Sequence, residues 1–314
     1  MTSEVVTGEN KSWAETPPPS PPLRHAIGEV VESQTWLDKL ANPIQSWLLQ
    51  FFGQPGEPNR KLKDVLNGTW LGHPLHPALT DVPIGSWTAT TLLDVAWLFS
   101  EDEGIARGAD LTLVLGLMGA VGSAVAGLAD WSDLDGTDRR VGAMHGLLNV
   151  GITTLNVGSW ISRLTGNRRT GIALSTTAYL TSLFSAYLGG ELSFAKGIGV
   201  NHVAWEGGPD DYVAVMNEQD LPEGKLTRVD VSGIPAVLLK QGNTIYAIGA
   251  TCTHLGGPLD EGTVKDGVVQ CPWHGSCFKM TDGSVVNGPA TYAEPTFALR
   301  TRNGKIELRR LDHA

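Results

Sequence analysis

The chain has 314 residues and a net charge of −10, with 33 acidic residues against 23 lysines and arginines. This length predicts more than one domain. The acidic balance, without a basic run interleaved with aromatic residues, excludes nucleic acid as the expected partner. Three cysteines are too few for a disulfide framework, which is typical of a reducing compartment.

The N-terminal segment, residues 1–35, is polar and contains the proline-rich run TPPPSPP, so we expect it to be disordered. No charged start followed by an apolar run marks a signal peptide near Met1. In residues 36–67 the apolar positions recur at helical spacing, with Trp36 and Trp47 among them. This pattern predicts amphipathic helices that lie in a membrane interface. Docking onto a neighbouring bundle is an equally good interpretation.

The middle of the chain is apolar, and four of its stretches are long enough for transmembrane helices, which need about twenty residues. They are Ala78–Phe99, Leu111–Ala129, Val141–Leu164 and Ile172–Leu192. Small residues, as in the run from Gly119 to Gly127, let membrane helices approach closely. The pattern predicts a four-helix transmembrane bundle over residues 68–202, placed in a bacterial cell membrane as a multi-pass domain. The Ser and Thr content keeps open a soluble bundle with buried helices.

An even number of crossings returns the chain to its starting side, which places several polar residues on one membrane face. They are His73, His76, Asp81, Asp130, His145 and His202. Three interpretations stay open: a b-type haem held between His145 and His76 or His73, a quinone pocket, or polar residues with structural roles. We expect His76 and His145 to approach closely enough to share a ligand, with Asp81 or Asp130 beside them.

The basic residues near these stretches favour one orientation. Six lie on the histidine side: Arg60, Lys61, Lys63, Arg139, Arg140 and Lys196. Four lie on the other side: Arg107, Arg163, Arg168 and Arg169. By the positive-inside rule, the histidine face and the C-terminal domain are expected to be cytoplasmic.

The hexapeptide Gly72-His73-Pro74-Leu75-His76-Pro77 resembles the signature of an uncharacterised family of predicted four-helix bacterial membrane domains. Asp130-Trp131 and Met144-His145-Gly146 fit that family too. The resemblance covers residues 68–202. It implies a topology and no particular chemistry.

After a Gly- and Asp-rich linker at residues 203–210, residues 211–312 are predicted to form a small antiparallel β domain. We expect strands at Gly224–Ser232, Pro235–Leu239, Thr244–Ile248 and Lys305–Arg309. A hairpin turn around Gly242 is expected between the second and third of these strands.

Two mixed pairs, Cys252-Thr-His254 and Cys271-Pro-Trp-His274, carry the strongest chemical signal. Two thiolates and two imidazoles are the ligand set of a [2Fe–2S] cluster with mixed ligands. Zinc sites of two cysteines and two histidines usually place both cysteines first. Each pair is followed by glycine, which suits short loops with N–H groups aimed at the sulfides of a cluster.

Residues Asp211 to Leu311 resemble the Rieske [2Fe–2S] family on these two motifs and on Gly288-Pro289-Ala290, which is similar to its proline loop. The resemblance implies that Cys252 and Cys271 bind one iron and that His254 and His274 bind the other. The respiratory branch has a further cysteine in each loop. Gly257 and Trp273 occupy those places here, so the chain resembles the ferredoxin and oxygenase branch, which lacks the loop disulfide.

The residues expected to surround the cluster are Gly256, Trp273, Gly275, Ser276, Phe278 and Pro289. By the same resemblance, Ser276 occupies the place of a hydroxyl that hydrogen-bonds a bridging sulfide, and Phe278 that of a tyrosine. Cys277 is predicted to be a small residue without a redox role, with a regulatory thiol as the alternative.

These observations predict a membrane-anchored one-electron carrier with an unknown donor and acceptor. The alternative is a redox-sensing membrane protein, or a transporter that the cluster regulates. No mononuclear iron triad of two histidines and a carboxylate stands out, and the chain has no large catalytic domain after the cluster motifs. We therefore do not expect a full Rieske oxygenase.

Overall fold

The structure is a computed structural model that describes residues 22–55 and 57–311. A helical part comes first and a β domain follows. The helices among the described residues are α1 (Pro22–Glu32), α2 (Trp36–Phe52), α3 (Pro58–Asn67), α4 (Leu75–Ser100), α5 (Glu103–Trp131), α6 (Gly136–Leu164) and α7 (Arg168–Gly190). The strands are β1 (Val213–Asn217), β2 (Thr227–Val231), β3 (Ile234–Gln241), β4 (Thr244–Gly249), β5 (Thr263–Lys265), β6 (Val268–Gln270), β7 (Cys277–Lys279), β8 (Val285–Asn287), β9 (Phe297–Arg302) and β10 (Lys305–Arg310).

The four long helices α4–α7 coincide with the four predicted apolar stretches. α4 packs most closely on α5 and α6 on α7, so the bundle consists of two helical hairpins. Asp102 begins α5, and its carboxylate accepts hydrogen bonds from the Gly104 and Ile105 amides at 2.8 and 3.0 Å. Short connections at both ends keep neighbouring helices antiparallel.

Among the described helices, α5 is long and apolar enough to cross a membrane by length and composition. The other three helices of the bundle carry more serine and threonine. Their outward faces are nevertheless apolar, since Leu92 of α4, Val150 of α6 and Leu180 of α7 are all exposed. The bundle therefore presents aliphatic side chains outward and keeps many of its polar ones inside.

A cluster of buried polar side chains lies at the end of the bundle away from the β domain. Arg163 of α6 is buried there and donates to the Asp94 carboxylate of α4 at 2.5 and 2.8 Å. Asp110 of α5 and Ser175 of α7 also accept from this guanidinium, at 3.1 and 3.0 Å. One arginine thus links all four helices.

The region expected to be disordered over residues 1–35 requires a correction, because residues 22–32 form α1. Ile27 and Val31 pack against Val141 and Leu188 of the bundle. Lys196 also reaches the Glu32 carboxylate at 2.7 Å. These are contacts between residues far apart in the chain, which composition does not reveal. Residues 1–21 lie outside the described residues.

α2 has two apolar faces. Leu37, Leu48 and Phe52 are buried against the bundle, while Trp36 and Trp47 are exposed on the opposite side. Both expectations for this segment, docking and an outward aromatic face, therefore describe parts of the same helix. α3 contacts both α5 and β8 and so connects the helical part to the β domain.

The β domain contains three antiparallel sheets with the strand orders β1-β10-β9, β2-β3-β4 and β5-β6-β7-β8. The four predicted strands correspond to β2, β3, β4 and β10. The predicted turn joins the paired residues Gln241 and Thr244, with Gly242 at a φ of 61°. The three-residue strands β5–β8 had no prediction, because long loops interrupt their alternating pattern.

Candidate functional site

Two loops of the β domain carry the mixed Cys and His pairs, and their backbones close in the same way. The Gly256 amide donates to the Cys252 carbonyl at 2.9 Å, and the Gly275 amide donates to the Cys271 carbonyl at 3.2 Å. Both glycines have a φ of 76°, a left-handed conformation that favours glycine. The two loops are therefore matched in shape although the spacing from Cys to His differs.

The loops bring two thiols and two imidazoles to one tip of the domain. Cys252 and Cys271 are 1% and 3% exposed. The ring centroids of His254 and His274 are 5.0 Å apart. Burial lowers the pKa of both histidines, which favours the neutral imidazole that binds metals. Thiols and neutral imidazoles suit iron, so the donor set fits a [2Fe–2S] cluster.

The surroundings of the tip leave little room for other side chains. A Cβ atom at Gly257 would lie 2.8 Å from the Cys271 sulfur. Ser276 is fully buried and its hydroxyl oxygen accepts from the Ala290 amide at 3.0 Å, so its proton is available to donate. Pro289 lines a narrow recess beside His254.

The remaining residues expected around the cluster take different positions. Phe278 is fully buried in the core beneath the loops and brings no hydrogen-bond donor. Trp273 is 56% exposed, with its ring centroid 6.4 Å from that of His274. Burial raises the pKa of Cys277 to about 11, and its thiol donates to the Gly275 carbonyl at 3.4 Å. A protonated, bonded thiol favours the structural interpretation of Cys277.

Two protein families match parts of this chain. The family model of the Rieske [2Fe–2S] domain matches residues 211–298, and that of a predicted membrane protein, DUF2231, matches residues 72–202. Ferredoxin CarAc of Metapseudomonas resinovorans is 30% identical over 96 residues, which are 30% of this chain and 90% of that ferredoxin. The chain belongs to the Rieske [2Fe–2S] family. Its Rieske domain follows a domain of the predicted membrane protein family.

A longer protein also matches this chain over about a third of its length. Apoptosis-inducing factor 3 of Homo sapiens is 32% identical over 103 residues, which are 32% of this chain and 17% of that protein. The chain therefore spans about a sixth of that relative's length. A solved complex of reduced oxygenase and oxidized ferredoxin in carbazole 1,9a-dioxygenase is 29% identical, with a TM-score of 0.30, covering 32% of this chain and 94% of that one.

The tip of the Rieske domain lies against the helical part. Asp64 of α3 accepts hydrogen bonds from the Gly288 amide and the Asn287 side chain, both at 2.8 Å. Arg60, one turn earlier on α3, donates to the Gly288 carbonyl. On the first loop, the His202 amide donates to the Thr253 carbonyl at 3.1 Å. The tip is therefore held against the ends of the helices.

The structure brings together His76 and His145 of the six polar residues predicted for one face. Their ring centroids are 6.3 Å apart. His73 and Asp81 are exposed, and Asp81 lies five residues after His76, about 140° around the helix. They do not join the pair.

The other two predicted residues have separate partners. Asp130 accepts a hydrogen bond from the Asn67 side chain at the end of α3, at 2.7 Å. The His202 ring hydrogen-bonds the Gly197 carbonyl at 3.0 Å and lies nearer the Rieske tip.

Sequence reasoning missed two buried charged residues near the tip. Lys63 of α3 is 1% exposed and pairs with Asp133 at 2.6 Å. Glu294 is fully buried and accepts from the Thr253 amide at 2.8 Å. Burial raises the pKa of Glu294 well above its usual range. Charged residues in a polar helix or loop ordinarily indicate a solvated surface, so no local signal marked either one.

Proposed function

We propose that the protein is a membrane-anchored one-electron carrier, with Cys252 and Cys271 on one iron of a [2Fe–2S] cluster and His254 and His274 on the other. The observation that carries this proposal is the delivery of two thiols and two imidazoles to one tip by two matched loops. Such a cluster accepts and releases one electron, at a higher potential than a cluster with four thiolates. The similarity to a ferredoxin supports the same role.

The chain's own residues hold and shield the cluster. Gly256 and Gly275 let the loop backbones turn so that amide groups can donate to sulfur. The Ser276 hydroxyl, whose oxygen accepts from the Ala290 amide, would donate its proton to a sulfide of the cluster. Pro289 covers the side of His254 and limits access of water to that ligand. The proposed division puts the Rieske domain at residues 211–312 after a linker at 203–210, and the family matches at 72–202 and 211–298 support it.

The membrane anchor is proposed to consist of α4–α7, crossing a bacterial cell membrane four times. Their outward aliphatic faces suit lipid, and the buried Asp94–Arg163 pair suits a bundle interior. On α4, His76 and Asp94 are eighteen residues apart, about 27 Å along a helix, which is close to the thickness of the hydrocarbon core. Six basic residues on the Rieske side against four on the other support a cytoplasmic Rieske domain by the positive-inside rule.

The docked position of the tip supports electron exchange with a group held at the helix ends. His254 faces a recess that Pro74 of the helical part also lines. His76, two residues further along, is paired with His145. We infer that the group coupled to the cluster is either a quinone or a b-type haem that contacts this pair.

The test uses the full chain in proteoliposomes with a short-chain quinol as reductant and a soluble ferric dye as acceptor. An electron carrier catalyses continuous dye reduction, and its cluster gives an EPR signal on reduction. Cys271→Ser should abolish both because it removes one cluster ligand. Cys277→Ser is the matched control, since that buried cysteine is not a proposed ligand, and it should retain both.

A redox sensor would behave differently. Its cluster would be reduced by the quinol once and then hold the electron without steady dye reduction. That result would replace the carrier with the sensing interpretation. Loss of the EPR signal in Cys277→Ser but not in Cys271→Ser would overturn the ligand assignment.

A further inference from the structure

The two hairpins α4–α5 and α6–α7 repeat one buried pattern. Buried positions of α4 recur on α6 with a constant spacing of 69 residues: Pro83 and Ile152, Trp87 and Asn156, Thr90 and Ser159, Asp94 and Arg163. Buried positions of α5 recur on α7 with a spacing of 62 residues: Ala109 and Gly171, Leu113 and Ser175, Gly116 and Ala178, Ser123 and Ser185, Ala126 and Leu188. The bundle therefore has an approximate twofold axis between its hairpins.

His76 and His145 obey the same spacing of 69 residues and lie on the two helices α4 and α6. The neighbouring helix holds each ring in the same way. The Nδ1 atom of His76 is 2.8 Å from the Ser123 carbonyl oxygen, and that of His145 is 2.9 Å from the Ser185 carbonyl oxygen. Because a carbonyl oxygen only accepts, Nδ1 carries the proton and Nε2 keeps its lone pair, as in metal-binding histidines.

A glycine one turn after each serine makes space for the ring. A Cβ atom at Gly127 would lie 2.9 Å from the His76 ring, and one at Gly189 would lie 3.3 Å from the His145 ring. The Asn149 amide donates to Nε2 of His145 at 3.1 Å, which agrees with an unprotonated Nε2. A bound metal would take the place of that amide hydrogen.

The distance between the rings decides what can lie between them. Two imidazoles on opposite sides of one metal, at about 2 Å from each nitrogen, have centroids about 6 Å apart, which matches the observed 6.3 Å. A quinone between both rings would add two hydrogen bonds of about 3 Å each to its own length and would not fit. The gap therefore suits a single atom.

Two histidines alone are too few ligands for a metal ion without a cofactor. Metal ions bound by protein alone need four or more ligands, and among the described residues no third His, Cys, Asp or Glu side chain forms a metal-binding group with His76 and His145. An iron tetrapyrrole brings four nitrogens of its own and can take two axial imidazoles from the protein.

We propose that His76 and His145 are the two axial ligands of one b-type haem, at the end of the bundle that faces the Rieske tip. This assignment deepens the proposed function and rests on it for the role of the haem. Such a haem would exchange one electron with the cluster, the iron gaining what the cluster loses, with no bond made or broken.

The experiment titrates the purified full chain in detergent with haemin and follows the absorption and low-spin EPR signals of haem iron. The wild type should bind one haem per chain with the spectrum of two axial histidines. His76→Ala and His145→Ala should each weaken haem binding about tenfold or more. His73→Ala, at an exposed histidine three residues from His76, is the matched control and should bind as the wild type does.

His145→Met guards against loss of binding through misfolding, because a thioether can still ligate the iron. Retained haem with a shifted spectrum of mixed His and Met ligands supports the assignment. Absence of haem binding in the wild type, or equal binding by His76→Ala and His73→Ala, would overturn it. The EPR signal of the cluster is recorded in every sample. A wild type that has the cluster signal but binds no haem refutes the haem assignment alone. A wild type that binds haem but lacks the cluster signal refutes the electron-carrier proposal.

Discussion

The Rieske tip is built from two matched loops, and the His76–His145 pair is built from two repeated helical hairpins. The two sites differ in how far apart in the sequence their interacting residues lie. The tip draws its donors from two short loops, so local spacing places Cys252 beside His254 and Cys271 beside His274. The pair draws one histidine from each hairpin, and each ring needs a carbonyl from the next helix. The tip should therefore tolerate changes in helix packing that the pair does not.

The largest expected effect comes from Arg163→Met, which leaves the Asp94 carboxylate buried without its partner. Removing one member of a buried ion pair costs about 3–5 kcal/mol. We expect thermal unfolding of the helices in detergent, followed by circular dichroism, to shift strongly downward while the EPR signal of the cluster stays intact. The double variant Asp94→Leu/Arg163→Met should recover most of the stability. Equal loss of both signals would mean that the two regions unfold as one unit.

A smaller effect is expected where the two regions meet. Asp64→Ala removes a charged acceptor from two hydrogen bonds to the proline loop, which should weaken docking by about 2 kcal/mol. Hydrogen exchange should speed up at Gly288 and Thr253, with the cluster signal unchanged. Lys61→Ala, at an exposed position on the same helix, is the control. Unchanged exchange in Asp64→Ala would show that other contacts hold the tip.

Within the tip, Ser276→Ala should lower the reduction potential, because a hydroxyl that donates to a sulfide stabilises the electron-rich reduced cluster. A hydrogen bond of about 1.4 kcal/mol corresponds to roughly 60 mV for one electron. Voltammetry of the full chain measures the shift, and Thr281→Ala at an exposed position should leave the potential where it was. A potential that Ser276→Ala does not move would place the hydroxyl away from the cluster.

The smallest effect is expected from Glu294→Gln. The glutamine side chain has nearly the same shape as glutamate, and its amide oxygen can still accept the hydrogen bond from the Thr253 amide. Because burial raises the folded-state pKa of Glu294, the stability it contributes is fully present below its ordinary pKa of 4.5 and is lost as the pH rises through the folded value. The wild-type Rieske domain should lose stability over that window, and the variant should show a flatter profile by calorimetry. Glu261→Gln at an exposed position should follow the wild type, whereas matching profiles for Glu294→Gln and wild type would contradict the buried carboxyl.

The sequence by itself determined the elements that depend on neighbouring residues. Apolar runs of about twenty residues marked α4–α7, because the length of an apolar run is a property of consecutive side chains. Cys and His at fixed short spacings marked the four candidate donors of the tip, since loop geometry fixes what lies two or three residues away. The turn at Gly242 was equally local, because only the loop length and a residue tolerant of positive φ were needed.

Only the tertiary structure decided which distant residues meet. It paired His76 with His145, seated Gly288 on Asp64, and buried Lys63 against Asp133. It also shows residues 22–32 as a helix, which is stabilised because Val31 packs against Val141. These arrangements come from packing between separate helices and loops, where each contact is favourable only after the others have formed, so no local pattern could specify them.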